Sequence, residues 1–524
     1  MSTGALVRRA TGGSTALRGG RVRRLTPYQV FGLLFWLLMT LAYWRVPPCC
    51  EAGQHAAAVE RLRAGLTDAS GSPYVLAQGA LARLTGLTGW QLLRVCGPVH
   101  LLVLLTGLGR LVRVLTPRPW APVLALAFLA VLCGTEPAPG AGSLALLPLT
   151  GSLGYPSALA LGLTFWAWAL TGARSRDLRR VRYVGPSGLR SLSGYAVLGA
   201  LYGTVALVDP VIGVGAGAGA VAFAAGWQRA WRGAVRWRWG VLGGVAAGVV
   251  VLGMHAGVLP QSYWSYGAHG SYGSYGLYGS HGSYDGVVGQ CWLALIGVPA
   301  LWLRARRAAG KAMRGQAAGG RAARRPSAWR RAAWRRAAWL AAWRDPLVLL
   351  FALESLLAGY GRHGLGELLE LALLAPQCAL AVELAAERPW PGWRRALGWA
   401  AAGGACLGFL AAQAGAVVPR SVDPVGFVQP PRWPSYDWAA RHIGPGEPVT
   451  TDAYYAVRLL PGYGIELDDG HDHRPRVRWL LLTRRERLPA GAVVVDWSRR
   501  TGEVLARLTR TREVPVSARP TTRR

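Results

Sequence analysis

Lysine is all but missing from this chain of 524 residues: Lys311 is the only one, so the positive charge is carried by arginine. Beside so much alanine and glycine, that reflects a codon bias toward G and C rather than a function. Charge as a whole is scarce. Asp, Glu, Lys and Arg make up 16% of the residues, where a soluble protein carries about a quarter. With 52% hydrophobic residues gathered in long runs, that shortage excludes an ordinary soluble domain. No internal repeat is evident, which weighs against a transporter built from duplicated halves. Cysteines are few and none has zinc-site spacing. Cys96, Cys133, Cys291, Cys378 and Cys406 sit in apolar runs as small hydrophobes, and only Cys49 and Cys50 fall in a loop. On an oxidising side that adjacent pair is either a strained vicinal disulfide or two free thiols. No cleavable signal peptide is expected, because the first apolar run is long enough to span and lacks a small-residue cleavage site.

What is present is a series of apolar runs. A span needs about 20 apolar residues. Candidates are 28–46, 91–115, 120–136, 155–172, 191–207, 210–227, 239–257, 289–303, 345–360, 366–386 and 396–418. The run 366–386, which opens with Glu367 and Glu370, is also a candidate re-entrant segment. The expected fold is mainly α: a polytopic transmembrane bundle of about 10–11 spans with a small extracytoplasmic α/β domain at the C-terminus.

Charge gives an independent check. The net charge of +34 invites a nucleic-acid reading, but a nucleic-acid binder gathers its basic residues on one face of a folded domain. Here they lie in clusters between apolar runs, as membrane orientation requires, so no nucleic-acid partner is expected. Counting alternately from a cytoplasmic N-terminus, the inner segments are 1–27, 116–119, 173–190, 228–238, 304–344 and 387–395. They hold the arginine clusters, and 304–344 alone carries thirteen basic residues and no acid. The opposite loops 137–154 and 258–288 contain no Lys or Arg. That parity puts the N-terminus in the cytoplasm, and the loop 47–90 and the C-terminal domain outside.

The expected divisions are a basic tail 1–27, a bundle 28–418, an outer soluble domain 419–510 and a disordered basic tail 511–524. Two stretches are compositionally odd. Residues 262–284 are a Gly/Ser/Tyr/His low-complexity loop, read as repeat expansion. Residues 321–344 repeat Arg-Arg-Ala-Ala-Trp, which suits an interfacial helix on an anionic leaflet. In the C-terminal domain, 435–442 reads as a short helix, Gly444-Pro445-Gly446 as a turn, and 477–482 and 492–495 as buried strands.

Ionisable residues near membrane depth are candidates by default. The most informative group follows the first span, Pro47-Pro48-Cys49-Cys50-Glu51 and then His55. Glu51 and His55 are four apart, and a helix starting early puts both on one face. A carboxylate just outside the membrane can act as a general base. It can equally be a helix N-terminal acid with no chemistry. Asp209, before Pro210, sits in a tight outer turn. Arg362 and His363 lie beyond a span, where arginine suits an anionic phosphate. Glu136, His255, Asp285 and Glu354 are weaker candidates. His100, within a span, reads as a hydrogen-bonding partner of a neighbouring helix rather than a metal ligand.

An arginine-rich N-terminus, one span, then an outer loop with an acid and two amphipathic segments resembles the GT-C membrane glycosyltransferases. Ser72-Pro73-Tyr74, Gly86-Leu87-Thr88-Gly89-Trp90, Gly154-Tyr155-Pro156-Ser157 and Thr451-Asp452-Ala453-Tyr454-Tyr455 add to the likeness, which is one of layout over most of the chain. The resemblance implies transfer of a sugar from a polyprenyl-phosphate donor to an acceptor on the outer face. Glu51, with His55, would be catalytic, deprotonating the acceptor hydroxyl or helping to hold a divalent cation. Tyr155, Asp209, Arg362 and His363 would bind substrate. The single Glu51 behind a Cys-Cys pair departs from the Asp, or Asp/Glu pair, of many relatives, which keeps a non-catalytic relative open as an alternative; a transporter or flippase is the other.

Overall fold

The computed structural model describes residues 25–45, 52–65, 72–132, 149, 152–180, 189–227, 233–255, 292–319, 345–360, 366–386, 392–393, 395–404, 434–444, 447–451, 453–467, 479–483 and 486–508. Each of the apolar runs overlaps a described helical segment: α1 (Pro27–Arg45), α4 (Gly89–Leu115), α5 (Ala121–Leu132), α6 (Pro156–Arg180), α7 (Leu189–Val208), α8 (Pro210–Trp227), α9 (Gly233–His255), a 3₁₀ turn (Trp292–Gly297) running into α10 (Val298–Gly319), α11 (Pro346–Tyr360), α12 (Gly366–Leu384) and a helical stretch 395–404; residues 405–418 of the last run lie outside the described residues. Between α1 and α4 lie two shorter helices, α2 (Ala52–Arg63) and α3 (Pro73–Thr85). Among the described residues, α1, α4, α8 and most of α9 are long and apolar enough to cross a membrane. The chain is a polytopic helical membrane bundle with a small C-terminal α/β domain.

Small residues bring the helices together, since lipid leaves no hydrophobic drive for helix association. At the α4–α6 crossing, a Cβ on Gly107 would lie 2.7 Å from the Gly162 carbonyl oxygen, and one on Gly162 would lie 2.8 Å from the Leu104 nitrogen. The backbones meet there because neither residue has a side chain. The core behind them is fully buried: Leu101, Leu108, Phe165, Trp168 and Phe223. α12 starts with Leu368 and Leu371 against Gly215 of α8 and ends with Glu383 paired to Arg307. The candidate re-entrant run therefore crosses the bundle.

The helices also define two ends of the bundle. α1 begins, and α4 and α6 finish, at one end: Tyr28 Oη donates to the Leu105 carbonyl, Arg113 to Thr26 Oγ1, and Arg176 lies over Trp227. Arg113 and Arg176 belong to this end. The opposite end carries α2, α3, the α7–α8 turn and the C-terminal domain.

That domain contains α13 (Asp437–Ala440), β1 (Pro448–Thr451), α14 (Tyr454–Leu459), a 3₁₀ turn (Leu460–Tyr463), β2 (Glu466–Leu467), β3 (Trp479–Leu482), β4 (Ala492–Trp497) and β5 (Val504–Leu508). The sheet order is β2-β1-β3-β5-β4, with β1 parallel to β2 and β3, and β5 antiparallel to β3 and β4. β3 is buried as its apolar run predicts, with Leu481 fully covered. The same expectation for 492–495 is wrong. β4 is the edge strand, nothing pairs with its outer side among the described residues, and Val493, Val494 and Val495 are 54%, 48% and 39% exposed.

Candidate functional site

The site is built on α2. A Cβ on Gly89, at the start of α4, would collide with the Ala56 carbonyl oxygen, so α2 lies directly on the α4 backbone. On its other side, a Cβ on Gly79 of α3 would come 2.7 Å from the Leu62 side chain. Two acceptors finish the α4 N-terminus, whose first amides have no partner within the helix. Thr88 and Gln91 form a capping box, the side chain of each bonding the other's backbone N–H. Glu60, reaching across from α2, accepts the Gly89 N–H with Oε2 at 3.1 Å and the Arg63 Nε–H with Oε1 at 2.8 Å. A carboxylate is well placed there against the positive end of the helix.

His55 occupies the bundle side of α2. Its ring meets Tyr155 edge-on, with centroids 5.4 Å apart and planes at 76°. Burial pushes the imidazole down to about 4, so His55 is neutral at pH 7 and can accept a proton or a hydrogen bond rather than offer a charge. Segment 152–155, which presents Tyr155, is pinned from below. Tyr74 Oη donates to the Gly154 carbonyl at 2.7 Å, Gln78 Nε2 donates to Tyr74 Oη at 2.7 Å, and His100 Nδ1 donates to the Leu153 carbonyl at 2.8 Å. A carbonyl only accepts, so His100 carries its proton on Nδ1. It bonds a neighbouring segment, as its place in a span predicts. Burial raises the Tyr74 phenol, which keeps its O–H available for Gly154.

The C-terminal domain closes over α2 and the start of α4. Trp90 Nε1 donates to the Leu459 carbonyl at 3.2 Å, its indole fills the space a Cβ on Gly462 would need, and Arg61 faces Glu466 at 3.6 Å. Beside this joint, Leu62 of α2 and Leu76, Gly79, Ala80, Arg83 and Leu84 of α3 line an apolar groove of about 380 Å³ that is open to its surroundings. Arg83 Nε donates to the Leu62 carbonyl at 2.6 Å, which holds the guanidinium at the rim.

Of the residues singled out from the sequence, the structure brings His55 and Tyr155 together. Asp209 lies at the same end of the bundle but is spent on structure: buried, it caps α8, with Oδ1 accepting the Ile212 N–H at 3.0 Å. Glu51 immediately precedes α2 and lies outside the described residues, as do Arg362, His363, Glu136, Asp285, Cys49 and Cys50. His255 is exposed at the end of α9 and bonds the Val251 carbonyl. Glu354 is fully buried on α11 with neither oxygen hydrogen-bonded. Among the described residues no three His, Cys, Asp or Glu side chains come together. These residues alone do not form a divalent-cation site, and no catalytic step is assigned to one. Tyr74 and Trp90 fall in motifs that carry the resemblance but have no role predicted from sequence, and Glu60, Gln78 and Arg83 are not singled out there at all. The Thr88-to-Gln91 spacing was a readable helix start; the others act through partners far along the chain.

No protein-family model matches the sequence, and no curated protein matches it. In fold the chain is similar to ArnT from Cupriavidus metallidurans bound to undecaprenyl phosphate, at 15% identity and a TM-score of 0.48 over 92% of this chain and 97% of that one. It is also similar to the apo form of that protein, at 13% identity and a TM-score of 0.45 over 92% and 97%. A third likeness is to the archaeal oligosaccharyltransferase AglB from Archaeoglobus fulgidus, in complex with an inhibitory peptide and a dolichol-phosphate. There the identity is 10% and the TM-score 0.42, over 87% of this chain and 70% of that one. These are likenesses of overall layout. What this chain does has to be read from its own residues.

Proposed function

We propose that the protein is a membrane glycosyltransferase that moves a sugar from a polyprenyl-phosphate donor to a hydroxyl acceptor. The chemistry would take place at the end of the bundle that carries the C-terminal domain. The observation that carries this reading is the convergence on α2. A half-buried neutral histidine against Tyr155, an apolar groove with an arginine at its rim, and the underside of a soluble domain all meet within one short helix.

The groove between α2 and α3 suits the first units of a lipid chain, and Arg83 suits the phosphate at their head. Glu51, four positions before His55 in sequence, is the general base. Its carboxylate takes the acceptor hydroxyl proton as that oxygen attacks the anomeric carbon, and the polyprenyl phosphate departs with the bonding electron pair. His55 accepts a hydrogen bond that orients the acceptor. Tyr155 packs on the sugar face, and Arg362 and His363 face the donor phosphate. Asp209 serves this site by holding α8. In this reading the arginine end faces the cytoplasm, the C-terminal domain lies outside, and the bundle extends through residue 418.

Glu51→Gln tests it. Membranes holding the variant, at wild-type abundance, are assayed for transfer from a polyprenyl-phosphate sugar, alongside glycan profiles of a deletion strain. Loss of transfer by more than about 100-fold is expected for a missing general base. Glycans unchanged in both the variant and the deletion strain refute the enzyme.

A further inference from the structure

At the end of the bundle opposite the C-terminal domain, two sets of described arginines contrast. Arg304 bonds Asp345 at 2.8 Å and 3.1 Å, and Arg307 pairs with Glu383 at 2.6 Å. Those two acids are the carboxylates among the described side chains at this end, and both are taken. Arg110, Arg113 and Arg306 are exposed and have no carboxylate partner among the described residues.

Two of the three lie over tryptophan rings. Arg110 lies over the Trp166 ring at 5.0 Å, and that indole is fixed in turn by its N–H donating to Thr106 Oγ1 at 3.2 Å. Arg306 lies over Trp302 at 4.5 Å, and Trp302 is 56% exposed. A guanidinium that rests over an indole and is exposed to solvent presents N–H donors that can grip two oxygens of one phosphate. Trp120 and Trp237, 52% and 64% exposed, stand at the same end. Indoles of this kind settle at the headgroup level of a bilayer.

We propose that this end is a docking surface for acidic phospholipid headgroups, with the Arg110–Trp166 and Arg306–Trp302 pairs as its headgroup-binding units. The chemistry selects a lipid. The pairs lie on the flanks of an apolar bundle, where a phosphate immediately above hydrocarbon meets guanidinium and indole together. Cations beside a leaflet also draw acidic lipid to themselves.

The full chain is reconstituted in nanodiscs of phosphatidylcholine alone and with increasing phosphatidylglycerol. Bound acidic lipid is counted by native mass spectrometry, and the unfolding midpoint is followed in parallel. Wild type should retain phosphatidylglycerol and unfold at a higher temperature when it is present. Each arginine near a charged leaflet should account for about fivefold in acidic-lipid affinity. The double variant Arg110→Gln/Arg306→Gln should therefore lose roughly 25-fold, with an unchanged midpoint in phosphatidylcholine. Arg110→Lys/Arg306→Lys, which keeps charge but not stacking, should fall between. Undiminished acidic-lipid binding by the Gln variant overturns the proposal. So does a midpoint already lowered in phosphatidylcholine, which would make the arginines part of the fold. Inorganic phosphate replacing the lipid at equal ionic strength overturns it too.

Discussion

Removing the Glu60 side chain should loosen the start of α4 without unfolding the bundle. Glu60 is 8% exposed and joins two helices far apart in sequence, since one oxygen takes the Gly89 N–H and the other takes Arg63. A hydrogen bond to a charged group contributes about 1.5–3 kcal/mol. The Arg63 contact adds less, because that side chain is 37% exposed and screened by solvent. In Glu60→Ala about 2 kcal/mol of local stability is therefore lost, equivalent to a roughly 30-fold larger opening equilibrium. A midpoint for the whole chain is a poor reporter of so local a change, whereas amide exchange resolves it. Hydrogen–deuterium exchange of the full chain in nanodiscs should show faster exchange in the first turn of α4 and along 52–63, and none in α6 or α8. Glu60→Gln, which keeps an acceptor but loses the charge, should recover part of the protection. Arg63→Gln should change exchange only a few-fold. Wild-type exchange at Gly89 to Leu93 in Glu60→Ala refutes the reasoning, and so does an equal effect from Arg63→Gln.

Two other perturbations bear on the same joint. His55 titrates near 4 in the fold, against about 6.5 for a free imidazole. The open state therefore binds a proton that the packed state does not, so α2 packing is fully stable above pH 6.5 and weakens as pH falls toward 4. Exchange along 52–63, corrected for intrinsic rates, should rise through that window in wild type and stay flat in His55→Phe; a flat wild-type profile counts against a histidine held neutral in the packed state. Gly462→Val forces a side chain into the Trp90 indole, and overpacking of this kind costs about 1–3 kcal/mol. Proteolysis between the bundle and the C-terminal domain should accelerate, and an unchanged cleavage rate would mean the domain is not held by Trp90.

The order of the spans could be read from the sequence because a bilayer enforces it. Every backbone polar group at that depth has to be satisfied within its own helix, so apolar length alone locates the element. Arginine placement then sorts the ends without reference to any tertiary contact. The C-terminal domain obeys no such constraint. Ala492-Val493-Val494-Val495 reads as a buried strand by composition, yet it lies at a sheet edge, because burial there depends on which strand pairs with which. The site depends on tertiary contact still more. His55 stands out in sequence as an ionisable residue beside a span, and its four-residue spacing from Glu51 suggests a shared face. Its partner Tyr155 is a hundred positions away, and what brings them together is largely the absence of side chains. Gly89 lets α2 lie on α4, Gly79 lets α3 lie on α2, and Gly462 admits Trp90. A glycine in a sequence says that something approaches closely but not what approaches. Glu60 is the same problem in a charged residue: beside Arg63 it looks like an ordinary helix-surface pair, while its second oxygen caps a helix that starts twenty-nine positions later. The acid that organises the site is thus hidden behind a local pairing, and the acid that would do the chemistry is the one that stands alone before the helix.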